Sequence, residues 1–445
     1  MCKRITETLS IALAIVMLTS PTSTARTLPP GNTVQQWNAI AENTVVGAGA
    51  FQAEGFIYMA YVSAAVYDAV VAIEGGYEPY GEAITAPADA SVDCAVVEAA
   101  YRTLRYYFAS FPALVAKLDD DYAEAIASLD GCTADSGHGT SVGLSAANNI
   151  IALRSADGRL TPIGVTSPFP TLPTGPGVWR LTPPAFAAPQ TPWVAKVRPF
   201  ILERADQFLP DPPPSLKSME WTEAFNQIKT FGEATSAART PEQTAIARFW
   251  SANVVRQYNR LARDVAEENG LGLLQTARLI GMVDTVGADA LISCLFAKYR
   301  YLFWRPVTAI DPTAVTADGF GPVPGFDDGN PATLEQIGWR PLLATPNHPE
   351  YPAAHGAITS AMAEVFATFL GTQRINVDIH GFDPAGPPNN LNAVIHFERA
   401  HELRSEIIYA RLWAGLHYHF SSVAGVVLGR NVAKHDLRRA FRPIN

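Results

Sequence analysis

This 445-residue chain predicts a mostly α-helical protein built of helical bundles. Apolar residues recur at spacings of three and four over long windows, and strand-like alternation is rare. A composition 48% hydrophobic and 17% charged is enough to bury a large core.

The first 25 residues stand apart. Lys3 and Arg4 precede an apolar run from Leu9 to Leu18, and the small residues Ser23, Thr24 and Ala25 follow. That order predicts a secretory signal segment cut after Ala25 and a secreted or periplasmic location. The run is too short to span a bilayer, and no transmembrane anchor is expected later; residues 58–73 come nearest but contain Asp68. Beyond it, 26–235 is expected to form an N-terminal helical region with a proline-rich covering loop, and 236–445 a C-terminal helical region holding the chemistry.

Helical periodicity covers 48–73, 93–128, 240–268 and 274–303. Between the helical groups, 160–216 carries so many prolines that regular helix is blocked. Its Trp179, Phe186, Trp193 and Phe200 imply packing against the core, hence an ordered covering loop or crossing. With Cys2 removed, Cys94 and Cys132 are candidates to pair in an oxidising compartment, and Cys294 is left single on the helix that carries Lys298. A net charge of -9 with no long like-charge run speaks against nucleic acid or anionic lipid as the main partner.

Against that acidic background the last third holds a set of basic residues: Lys298, Arg305, His355, Arg411 and His417. Lys298 and Arg305 are expected two turns apart on one helix face, with the helix ending at Arg305 because Pro306 follows. A helix over 356–370, stopped by Gly371, places His355 and the amides of 353–356 at its N-terminus, where anions are favoured. A helix over 396–410 delivers Arg411; Gly415 interrupts it and His417 opens the final helix. Guanidinium forks and an ammonium converging on one point suit an oxyanion.

The ordered segments Lys298–Arg305–Pro306, Pro352–His355 and Arg411–His417 resemble the three-part signature of the vanadium-dependent haloperoxidase and type 2 phosphatidic acid phosphatase superfamily. The resemblance implies that Lys298, Arg305, Arg411 and the Ala354 amide bind the oxygens of a vanadate cofactor or of phosphate. It makes His417 the residue bonded to vanadium or attacking phosphorus, and His355 the acid–base group. His348, seven residues before His355, stands where haloperoxidases carry an aromatic residue or a histidine beside halide and peroxide, and a histidine looks more like bromide-oxidising members. An exposed loop histidine is the competing reading.

The implied activity is a haloperoxidase using hydrogen peroxide, halide and a small organic acceptor. The alternatives are a phosphomonoesterase working through a phosphohistidine in the same pocket and a non-catalytic oxyanion binder. A homodimer is kept open. Three departures from the family pattern bear on this. Ala353 replaces a serine whose hydroxyl would bond the oxyanion, Ala354 replaces glycine, and Ser421 stands where an acidic residue usually orients the second histidine. His419 or a residue distant in sequence is then needed to orient His417.

Other motifs are weaker. The DSGHGTSVG run around His138 resembles a protease histidine motif without its serine partner, and reads as a turn before a helix starting near Ser141. His417 and His419 lack the ligand set of a zinc site. His396, His401 and His435 are expected on helix surfaces, and Tyr351 and Trp413 as packing groups.

Overall fold

The computed structural model describes residues 28–129, 132, 137–162, 175–315, 328–381 and 393–444. The expected signal segment lies outside them. Helices dominate, as the periodicity predicts, and the strands found among the described residues are β1 (Val377–His380) and β2 (Val394–Phe397), paired antiparallel.

The N-terminal half comprises α1 (Thr33–Gly47), α2 (Gln52–Glu74), α3 (Val92–Tyr107), α4 (Pro112–Ser128) and α5 (His138–Arg154). Local chemistry sets their starts. Asn32 and Gln35 form a capping box on α1, and the Ser91 side chain accepts from the Cys94 amide at α3. The 93–128 window is two helices because Pro112 opens a new one. Helix α5 begins at His138, three residues before the expected start; His138 itself is exposed and pairs with Asp89.

The second half adds α6 (Met219–Phe231), α7 (Pro241–Phe249), α8 (Val254–Glu268), α9 (Leu273–Tyr301) and the single turn α10 (Pro306–Ile310). After these come α11 (Ala354–Phe369), α12 (Ala400–Trp413) and α13 (His419–Asp436). Window 240–268 is likewise two helices, with Asn253 capping the second. Helices α2 and α9 pack along each other at the centre, and one core cluster runs from α1 to α13. Contrary to expectation, both α2 and α9 are long and apolar enough to cross a membrane. Their apolar windows are 89% and 94% buried inside the protein, as core helices require.

The proline-rich stretch is ordered over its described part, and residues 163–174 lie outside it. Trp179, Trp193 and Phe200 are buried and Phe186 is half-buried. Buried carboxylates tie this crossing and a neighbouring loop to the core. Asp289 of α9 accepts from the amides of Phe200, Ile201 and Leu202 at 2.5, 2.7 and 2.9 Å, and Asp68 of α2 accepts from Tyr80 and Gly81. The Trp179 amide donates to Leu302 O at 2.7 Å and Trp304 N to Gly177 O at 3.1 Å, so the crossing braces the chain just before Arg305. Cys94 and Cys132 are disulfide-bonded, with their Cα atoms 5.6 Å apart, and Cys294 is a buried free thiol on α9.

Helices α11 and α13 approach closely because α13 offers glycines where they meet. A Cβ at Gly425 would stand 2.3 Å from Ala353 O, and one at Gly429 only 1.9 Å from Ala357 O. Backbone thus lies on backbone, fixing the start of α11 against the middle of α13. Gly429→Val should lower unfolding stability by about 1–3 kcal/mol and weaken oxyanion binding as α11 shifts. Denaturant melts and anion titration check this; an unchanged midpoint would show that the helix contact is looser than described.

Candidate functional site

Lys298 lies in the last turn of α9, fully buried, where a cation also complements the carbonyl end of the helix. Its Nζ donates to Pro349 O at 3.0 Å and Glu350 O at 2.8 Å. Arg305 is not on the same helix face, as the two-turn spacing predicts. Leu302 turns left-handed with φ 50°, ending α9, and Arg305 becomes the residue before Pro306, the first residue of α10. Its guanidinium donates from Nε to His348 O at 3.0 Å and from Nη1 to Leu416 O at 2.9 Å.

Arg411 sits in the last turn of α12, its Nη1 on Trp250 O at 2.9 Å. The expected helix start at 396 is instead β2, and α12 begins at Ala400. Gly415, at φ +76°, then turns the chain back so that Leu416 N reaches Arg411 O. His417 does not open the final helix. Tyr418 precedes the first helical residue, His419, and His417 lies in the turn, its own amide pointing to Arg411 O at 3.4 Å. His355, by contrast, is in the first turn of α11, directly after Ala354, as expected.

These segments meet at a cavity of about 50 Å³ whose polar wall is His348, Ala354, His355, Arg411 and His417. Leu291, Leu295 and Ile358 form apolar wall, and Phe51, Gln52 and Ala53 at the start of α2 close it. That N-terminal contribution went unread, since no charged residue marks it. Lys298 and Arg305 stand behind the wall rather than on it, and the donors just described go to protein carbonyls. Two buried polar atoms of wall residues have no hydrogen-bond partner: His355 Nε2 and Arg411 Nε. Unpaired buried polar atoms are costly; a bound oxyanion would accept from Arg411 Nε, and from His355 Nε2 whenever that nitrogen carries the proton.

His348 is buried, 3% exposed, which removes the exposed-loop reading. Its Nδ1 lies 3.0 Å from Arg305 Nη2, and its ring is 5.8 Å, centroid to centroid, from that of Phe51. His396 is on a strand rather than a helix and pairs with Asp378 in the open. His401 is exposed on α12, while His435 is mostly buried beside Asp436. Tyr351 is buried in the aromatic cluster with Trp304 and Tyr418, in a packing role, and Trp413 is half-buried against Tyr409.

The residue that motif reading did not name is Glu350. Its Oε1 lies 2.9 Å from His417 Nδ1 and accepts the Tyr418 amide at 3.1 Å. A carboxylate takes the proton side of the ring. On the other side, His417 Nε2 lies 3.2 Å from Arg305 Nη1, and a guanidinium can only donate. The ring is therefore neutral, with Nδ1–H on Glu350 and a lone pair at Nε2. Burial, then the charges of Arg305, Lys298 and Arg411, hold the His417 pKa well below the usual histidine range. Burial likewise depresses His355 and His348, the nearby cations adding to it.

The cations feel the same desolvation. Burial lowers Lys298 to about 7, Arg305 to about 10 and Arg411 to about 9. Glu350 is pushed up to about 7 by burial, with Lys298 and Arg305 pulling the other way.

A family model described as the VCPO second helical-bundle domain matches residues 278–445. A curated relative, vanadium chloroperoxidase of Curvularia inaequalis, is 25% identical over a 312-residue alignment taking in 57% of this chain and 49% of that protein. The match thus spans about half the relative's length. A solved bacterial vanadium-dependent iodoperoxidase superposes with TM-score 0.68 at 20% identity, covering 94% of this chain and 99% of that one. A holo-type bacterial vanadium-dependent chloroperoxidase gives TM-score 0.67 at 16% identity, covering 93% and 99%. These two likenesses establish the fold.

Lys298 sets a pH dependence. A lysine with a lowered pKa is charged below it and neutral above, so the cradle loses a positive charge as pH rises through about 7. An anion binds the charged form better, so affinity should fall with rising pH and binding should take up a proton. Sulfate, whose charge is constant here, should bind at least roughly tenfold more weakly at pH 8 than at pH 6, and Lys298→Met should shrink the profile to the part set by Glu350, which ionises in the same range. Calorimetry in buffers of different ionisation enthalpy measures both; a flat wild-type profile would contradict the charge assignment.

Proposed function

Because the chain fits the vanadium haloperoxidase superfamily in fold and in the order of its basic segments, we propose that it is a vanadate-dependent haloperoxidase-like enzyme that uses hydrogen peroxide to oxidise halide. One observation carries this: His417 presents an unprotonated Nε2 beside Arg305, on the wall of a cavity where His355 Nε2 and Arg411 Nε have no protein partner. Vanadate, when bound, would supply a Lewis-acid centre that activates hydrogen peroxide toward two-electron oxidation of halide.

The chain's own residues do the rest. Arg411 and Ala354 both line the cavity and would hold oxyanion oxygens, Ala354 through its amide, with Lys298 and Arg305 behind them supplying positive charge. His417 would hold the metal through Nε2. His355, neutral at pH 7 because burial and the cations depress its pKa, is equipped to take a proton at Nε2 and give it back. His348, edged by Phe51, would stand beside the halide, and a histidine there supports bromide. The apolar residues around the cavity exclude bulk water and strengthen each electrostatic contact. Export through residues 1–25 belongs to the same proposal, and the Cys94–Cys132 disulfide fits an oxidising compartment.

The test is a paired assay of the purified chain, with and without orthovanadate, for peroxide-driven bromination of a chromogenic acceptor and for hydrolysis of a chromogenic phosphate ester. Vanadate-dependent bromination is expected. His417→Ala and Arg305→Ala should each cut it by about 10²-fold or more and lose vanadate on gel filtration. Phosphate-ester hydrolysis inhibited by vanadate, without bromination, would move the site to phosphoryl transfer. Tight oxyanion binding with neither activity would leave a non-catalytic binder.

A further inference from the structure

Position 421, four residues after His417, holds Ser421 where the resembled family carries an acidic residue, yet the imidazole still faces a carboxylate. Glu350 Oε1 meets Nδ1 at 2.9 Å from 67 residues away in the chain. We propose that Glu350 is the positioning residue for His417, and that positions 350 and 421 address one volume in which a single carboxylate is needed. This rests on the oxyanion-site reading above and names the device that makes His417 competent in this chain.

Glu350 is pinned at both ends. Its amide donates to Phe303 O at 2.9 Å and its carbonyl accepts Lys298 Nζ at 2.8 Å, so its backbone is tied to the segment running from the end of α9. Its carboxylate takes both His417 Nδ1 and the Tyr418 amide, and the residue is fully buried. A side chain so held cannot swing away, and an imidazole bonded to it cannot flip without leaving Nδ1–H unpaired.

Ser421 lies beside the same carboxylate, close enough to help hold the Glu350 pKa down, although its hydroxyl makes no well-formed hydrogen bond there. The Ser421 carbonyl accepts the Ala353 amide at 3.1 Å, which sets this turn against the 350–353 segment. An aspartate at 421 would therefore enter the space Glu350 already serves. Two carboxylates there would repel and one would take up a proton, whereas either alone can accept from Nδ1–H. The two positions should behave as alternatives, each damaging when both are acidic or both neutral.

The test uses the full-length chain, first without vanadate. Long-range proton–nitrogen NMR of the His417 ring reports which nitrogen carries the proton. Wild type should show Nδ1–H alone. Glu350→Gln, which keeps the shape and removes the charge, should give mixed tautomers and bind orthovanadate about 10–100-fold more weakly. Ser421→Asp by itself should also weaken vanadate binding, by adding negative charge beside the anion. The double variant Glu350→Gln/Ser421→Asp should recover Nδ1–H and bring affinity back to within a few-fold of wild type.

Nε2–H in wild type, or Glu350→Gln unchanged in tautomer and affinity, would overturn the proposal. So would a double variant that folds with a wild-type melting midpoint and binds no better than Glu350→Gln. Because the tautomer is read without vanadate, a chain that fails to brominate but shows this pattern would refute the activity and leave the role of Glu350 standing.

Discussion

The rest of the structure answers to one electrostatic constraint: three cations, Lys298, Arg305 and Arg411, are buried in one region, with Glu350 as the carboxylate facing the first two. Removing an ion from water costs several kcal/mol even after relaxation, and no one-to-one ion pairing repays it here. The protein meets part of the cost with backbone carbonyls. Those of Pro349, Glu350, His348, Leu416 and Trp250 all accept from the three side chains. Arg411 Nε and His355 Nε2 at the cavity wall remain without a partner, as does Oε2 of Glu350. Residual positive potential and unpartnered polar atoms at one enclosed place are the features an oxyanion would complement, and the proposed site rests on them.

The fold's most distinctive contacts hold that imbalance in place. The carbonyls that accept from Lys298 and Arg305 belong to the 348–350 and 416 loops, and they can serve only if those loops are fixed. The glycine contact of α11 on α13 fixes the one, the left-handed turn at Gly415 fixes the other, and the proline-rich crossing braces the chain ahead of Arg305. An apolar core carried by α2 and α9 lies beneath. Stability is invested in keeping charged donors pre-set, so that binding an anion requires little rearrangement.

Much of this was legible from the order of a few residues. Lys298, Arg305, His355, Arg411 and His417 could be picked out because their spacing within each segment is short and rigid, and the proline and glycine beside them mark helix ends. The same local cues misplace details that tertiary packing decides. Leu302 accepts a left-handed backbone and so takes Arg305 off the α9 face, and residues 394–397 pair as a strand instead of starting α12. Glu350 was out of reach, since its link to His417 spans 67 residues and exists only once α9, α11 and α13 are packed. Phe51 to Ala53 were equally silent, being uncharged residues at a helix start that matter through position alone.

The central claim is that the buried cation excess binds an oxyanion with His417 Nε2 directed at it. X-ray absorption spectroscopy at the vanadium edge, on full-length protein loaded with orthovanadate and passed through gel filtration, tests this most directly. Stoichiometric vanadium with one imidazole nitrogen among otherwise oxygen neighbours is the expected result, and the nitrogen should vanish in Glu350→Gln before the oxygens do. Vanadium lost on the column, or an oxygen-only shell in the wild-type protein, would contradict it.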